Sequence, residues 1–135
     1  MQGKSEAVTD GIRVRVESRF VPQQSQPGRG RYVFTYSVQI RNESETTVQL
    51  RTRHWVITDA NERVEEVRGE GVVGEQPILK PNQTFQYTSG CILRTAWGTM
   101  GGSYRMFRPD GSEFSALISP FLLAAPFVSP AGEPS

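Results

Sequence analysis

The stretch RYVFTYSVQIRN, residues 31–42, places Tyr32, Phe34, Tyr36, Val38 and Ile40 on one parity and Thr35, Ser37, Gln39 and Arg41 on the other. Successive side chains leave a strand on opposite sides, so this alternation marks a strand with one face on a core and one in water. A helix would scatter the same five apolar residues around its circumference. Working outward, Ile12, Val14 and Val16 alternate in the same way. The prolines and glycines of VPQQSQPGRG (21–30) make a long exposed connection between the two runs.

Downstream, TVQLRTRHWVITD (47–59) changes phase, with Val48 and Leu50 on one parity and Trp55 and Ile57 on the other. Burying both pairs on one side requires an extra residue, which predicts a β-bulge between Arg51 and His54. Shorter period-two runs follow: RVEEV (63–67), TFQYTS (84–89), SYRMF (103–107) and FSALI (114–118). The last two flank RPDGSE (108–113), where Pro109 presets φ and Gly111 accepts a positive φ, so they form a hairpin. No stretch shows a capped helical stripe. Short strands with turn signals between them predict an all-β sandwich. Its domain covers residues 11–124, between a flexible segment (1–10) and a proline-rich tail (125–135).

A chain of 135 residues is one domain with room for a core. Its 15 basic and 14 acidic residues nearly cancel, unlike the concentrated positive charge of a dedicated nucleic-acid binder, so no nucleic-acid partner is expected. Cys91 stands alone, which rules out an intrachain disulfide and points to a reducing compartment. The opening MQGKSEAVTDG lacks the apolar run of a secretory signal. The apolar run 121–128 is interrupted by Pro126 and too short to span a bilayer. A soluble cytoplasmic protein with no membrane partner is the expectation, and the N-x-S/T triplets at Asn42 and Asn82 are then chance matches.

RGEGVVGEQP (68–77) contains G-x-G-x-x-G at Gly69, Gly71 and Gly74. In a dinucleotide-binding unit that spacing leads into a helix whose N-terminus faces the pyrophosphate. Here Pro77 pushes Gln76 away from helical angles, and no helical stripe follows. No Gly-Lys-Ser/Thr follows either, which excludes a phosphate-binding P-loop. What remains is an anion nest of backbone N–H groups beside Arg68, against the simpler reading of glycines as turn residues.

His54 is the only histidine, so a dedicated transition-metal site is not expected. Glu62, Glu65, Glu66 and Glu70 lack the ordered spacing of a calcium loop. Cys91 and His54 could act as nucleophile and base only if the fold joined them, and no catalytic residues are assigned. Arg51, Arg53, His54 and Trp55, with Arg31 and Arg41 nearby, form a candidate basic and aromatic interaction surface. The alternative is a solvated sheet face with Trp55 in the core.

RHWVITD (53–59), VEEVRGEGVVGEQPILKP (64–81) and YTSGCILRTAWGTMGGSYRM (87–106) together resemble the ApaG family, in order and over residues 8 to 125. Ile92 and Ala96 depart from the family pattern, which has proline at both places. The resemblance implies a fibronectin type III-like or immunoglobulin-like sandwich of about seven to eight antiparallel strands. It also implies a genetic association with cobalt and magnesium resistance or efflux, and with an operon encoding a diadenosine tetraphosphate hydrolase. Similar domains occur in eukaryotic F-box proteins and in a DNA polymerase delta-interacting protein, as interaction modules. The family's glycine motif, here Gly69, Gly71 and Gly74, implies a pyrophosphate site. The expectation is therefore a non-enzymatic binding module with a protein partner and no cofactor. The alternative is a nucleotide or pyrophosphate sensor acting through Arg68 and Gly69–Gly74.

Overall fold

The computed structural model describes residues 1–127. The alternating stretch is strand β3 (Tyr32–Asn42), lying between β2 (Ile12–Phe20) and β7 (Thr84–Leu93), with β1 (Lys4–Thr9) outside β2. The second sheet runs β5 (Val64–Glu70), β4 (Val48–Asp59), β8 (Trp97–Phe107), β9 (Glu113–Ala124). The two-residue β6 (Ile78–Leu79) also pairs with β4, and all pairs are antiparallel. The fold is a fibronectin type III-like, immunoglobulin-like sandwich. The connection 21–30 carries two single-turn 3-10 helices, Pro22–Gln24 and Pro27–Arg29.

The inward parity of each strand makes the core. Val14, Phe34, Val38 and Ile40 of the first sheet pack with Leu50, Trp55, Tyr104, Met106, Ile118 and Phe121 of the second. Trp55 is 2% exposed and meets the rings of Tyr36, Phe121 and Tyr104 edge-on at 5.1, 6.1 and 6.2 Å. Burying a ring of that size contributes several times what a methyl group does. The phase change in β4 is a bulge, because Leu50 pairs with Met106 and Thr52 with Arg105, leaving Arg51 as the extra residue. It falls at the N-terminal end of the predicted interval. A second shift in the β8–β9 ladder accommodates Pro120, whose ring cannot donate to a ladder.

The N-terminal segment corrects the expectation of flexibility. Lys4–Thr9 pairs residue by residue with Ile12–Glu17 as β1. The cause is the Asp10-Gly11 step, with φ +48° and +79°, a two-residue hairpin signal. This segment also closes one side of the sandwich. Leu122 N donates to Gln2 O at 2.7 Å, Ser5 Oγ to Ser119 O at 2.6 Å and Leu117 N to Thr9 Oγ1 at 3.1 Å. At the other terminus, Ala125 is buried and donates to Ala96 O at 2.9 Å, while Phe127 packs on Phe20 and Tyr32. The remainder of the expected tail, 128–135, lies outside the described residues.

Asn42 is fully buried. Its Nδ2 donates to Thr46 O (2.8 Å) and Leu79 O (2.9 Å), and its Oδ1 accepts from Ser44 N and Oγ. The amide therefore holds the 43–47 turn against β6.

Candidate functional site

The three motif glycines play three separate roles. Gly69 lies within β5, opposite Arg53 of β4. A Cβ there would stand 2.7 Å from the Arg53 guanidinium, which covers the glycine. Arg53 Nη1 donates to the carbonyls of Glu70 and Gly71, both at 2.9 Å. Gly71, at φ +63°, turns the chain out of β5 with its N–H on Arg51 O at 2.8 Å. A Cβ on Gly71 would stand 2.3 Å from Glu75 O. Gly74 is the second central residue of a tight hairpin.

That hairpin decides how the motif behaves. Val72 and Glu75 exchange N–H···O bonds at 2.8 and 3.0 Å around Val73 and Gly74, whose φ values are +44° and +81°. Two positive φ values at the centre are the pattern of a type I′ turn. The N–H groups of Gly71, Val72 and Glu75 thus point at the chain's own carbonyls. An anion nest needs such groups to converge on a ligand. Gln76 and Pro77 lead to β6 rather than to a helix. Arg68 stands exposed, 3.5 Å from Glu66.

The candidate surface Arg51, Arg53, His54 and Trp55 is not brought together, which corrects that expectation. Trp55 belongs to the core. Arg53 shares its parity and turns inward to clamp the hairpin. His54 takes the outer face, its Nε2 2.8 Å from Glu66 Oε1. Arg51, at the bulge, lies 4.5 Å from the centre of the Phe107 ring. The shared parity of Arg53 and Trp55 was the signal that could have separated them.

His54 and Cys91 are likewise kept apart, on the outer face and between the sheets. Burial, aided by the nearby charge of Glu65, pushes the Cys91 thiol up to about 11. That keeps it protonated and a poor nucleophile. Burial also raises Tyr87 and Tyr104, whose hydroxyls hydrogen-bond each other. The His54 hydrogen bond, with the charge of Arg68, holds the Glu66 carboxyl below its usual range. Among the described residues no three His, Cys, Asp or Glu side chains converge as a metal site would require. Among the same residues no helix is long and apolar enough to cross a membrane.

The surface carries several hollows. One, about 730 Å³, lies over the outer face of the first sheet, across Glu6, Arg15, Ser37, Gln39, Gln86 and Thr88. Arg15 is paired with Glu6 there, and the Ser37 and Thr88 hydroxyls bond each other at 3.0 Å. Another, about 380 Å³, adjoins the first across Arg13, Arg41, Glu43 and Thr84. A third, about 270 Å³, lies on the lateral side between β5 and β7, where Val64 and Ile92 stand beside Asp59, Arg63, Glu65 and Arg94. This side contrasts with the stitched β1–β9 side. β5 and β7 each end a sheet, and among the described residues no strand pairs with their outer edges. Val64 and Ile92 are exposed here at 62% and 54%. Sequence reading missed this open side because it arises from which strands end each sheet.

Comparison with known proteins follows the same lines. The family model described as the ApaG domain matches residues 22–108. The chain is 53% identical to Protein ApaG of Anaeromyxobacter dehalogenans over 122 residues, 90% of this chain and 96% of that one. It is 54% identical to Protein ApaG of Xylella fastidiosa over 115 residues, covering 85% and 91% of the two chains. The crystal structure of an ApaA protein from Bordetella pertussis superposes with a TM-score of 0.83 at 47% identity, covering 93% of this chain and 98% of that one.

Proposed function

The chain belongs to the ApaG family, and from that premise we propose that it is a non-enzymatic binding module that recognises a protein partner along the open β5–β7 side. One observation carries this: two strand edges that are unpaired among the described residues flank a cleft where Val64 and Ile92 stand in solvent, while the opposite side is stitched shut. Edge strands offer backbone groups for strand addition, and alternate side-chain pockets supply specificity. Arg63, Arg94, Asp59 and Glu65 stand around Val64 and Ile92 in the cleft, so charged groups of both signs are available for polar contacts beside the apolar side chains.

The protonated thiol of Cys91 and the separate commitment of His54 to Glu66 support a binding role over a catalytic one. Any tie to cobalt or magnesium tolerance would run through the partner. The nucleotide or pyrophosphate sensor is less favoured, because the Gly71 N–H is bonded to Arg51 O and the Val72 and Glu75 N–H groups are bonded to each other's carbonyls.

Affinity capture under native conditions, with the chain as bait, tests the proposal. A stoichiometric partner is expected with the native chain and lost with Val64→Asp/Ile92→Asp, whose two sites are already exposed and should leave the fold intact. A partner retained by that folded variant would overturn it.

A further inference from the structure

The free edge of β5 reads V-E-E-V-R-G-E from Val64 to Glu70. Charges on an edge strand usually guard it against indiscriminate pairing. Here they do so selectively. Glu66 and Arg68 lie on the outer face, opposite Val56 and His54, and Val67 lies on the inner face, opposite Trp55. Glu66 and Arg68 side chains are 53% and 72% exposed.

From this arrangement we propose that the partner fitting the β5 edge is a second copy of this chain, paired antiparallel about a two-fold axis through Val67. Such an axis places residues of like parity opposite each other, so few registers exist. Centred on Val67, Glu66 of each copy faces Arg68 of the other. Moving the axis to Glu66 sets Glu66 against Glu66, and moving it to Arg68 sets Arg68 against Arg68 and Glu66 against Glu70. Opposite charges across a ladder stabilise it and like charges oppose it. An axis at Gly69 would also set Arg68 against Glu70, but it overlaps only residues 68–70 of β5, whereas Val67 is the middle residue of Val64–Glu70, so charge and full overlap together select the Val67 register.

The inner face agrees. In that register Glu65 of one copy stands opposite Gly69 of the other, where the Arg53 guanidinium already covers the glycine. A carboxylate thus meets a cation on this face also. The two half-buried Val67 side chains meet at the axis. The product is one continuous sheet with two-fold symmetry, in which the same patch serves both copies. This inference rests on the open side being an interaction surface, and it names the occupant of the β5 edge.

Sedimentation velocity over a concentration series, at low and high salt, tests it with the full chain. The native chain should pass from monomer to dimer, more weakly at high salt. Glu66→Arg and Arg68→Glu should each weaken self-association by about tenfold or more, since each turns both cross-copy pairs repulsive. An equimolar mixture of the two single variants should restore a dimer. At these two positions one variant then carries only arginine and the other only glutamate, so both cross-copy pairs are again of opposite charge. The double variant Glu66→Arg/Arg68→Glu should self-associate like the native chain. A native chain that stays monomeric at the highest concentration, or a mixture that restores nothing, would overturn the proposal. A monomeric chain that still loses a captured partner on Val64→Asp/Ile92→Asp would overturn the dimer while leaving the open-side reading standing.

Discussion

The guanidinium of Arg53 occupies the place where a side chain on Gly69 would stand, and from there it holds the carbonyls of Glu70 and Gly71. A strand end, a buried-side arginine and a hairpin are locked together by one side chain. The motif glycine at 69 is explained by the arginine that covers it.

A double-mutant cycle measures that lock. Arg53→Ala should destabilise the fold by about 1–2 kcal/mol through two lost charge-assisted bonds. It should also speed amide exchange at Gly71, Val72 and Glu75 while leaving β3 protected. Gly69→Ala alone should cost about 1 kcal/mol, because the displaced group is the end of a flexible side chain. With Arg53 already removed, Gly69→Ala should be neutral or stabilising, and equal effects in both backgrounds would refute the contact.

Val73 offers a second check. A β-branched residue at φ +44° is strained, and its side chain is 56% exposed, so little packing offsets that strain. Val73→Asn, which gives the Asn-Gly pair favoured at type I′ turns, should raise stability by about 1 kcal/mol in a thermal melt. A destabilised variant would mean that the hairpin is not the turn described.

Cys91 and the tyrosine pair set the alkaline limit. All three groups are neutral when protonated, and burial raises each of them in the folded state. Their contribution is therefore fully present below the unfolded values and lost as pH rises through the folded ones. For Cys91 that window runs from its ordinary 9.0 to about 11, with the tyrosines following above 10.0. Stability should be level to the lower edge of the window and fall beyond it, less steeply in Cys91→Ala. At pH 8 the native thiol should react with a disulfide reagent about a hundredfold more slowly than an unfolded one. Equal rates would show that Cys91 is accessible.

Much of the fold is legible in the sequence, and the errors share a cause. Period two locates the β2, β3 and β4 runs and the bulge, because parity is a direct image of which side of a sheet a residue faces. Strand ends are cut short wherever glycine or proline intervenes. The period-two run of β8 starts at Ser103 yet the strand begins at Trp97, β7 continues through Gly90 to Leu93, and β9 passes Pro120 to reach Ala124. Those glycines are not turns. A Cβ on Gly102 would stand 1.9 Å from His54 O and one on Gly98 2.5 Å from Thr58 O, so they admit a neighbouring backbone. The Asp10-Gly11 hairpin signal is present in the sequence and would have placed β1. The candidate site is less legible. Arg51, Arg53, His54 and Trp55 are neighbours in sequence, but a strand sends alternate residues to opposite faces. The open side depends on strand order, which local pattern does not encode.

The most direct measurement of recognition along the open side is hydrogen exchange of the chain alone and in complex, whether with a captured partner or with a second copy. New protection is expected in either complex at the amides of Val64–Glu70 that do not pair with β4, and with a captured partner also at the β7 edge around Ile92. The Gly71–Glu75 hairpin and the outer face of the first sheet should stay unchanged. Protection confined to that hairpin or to the Arg15–Gln39–Gln86 face would contradict recognition along the open side.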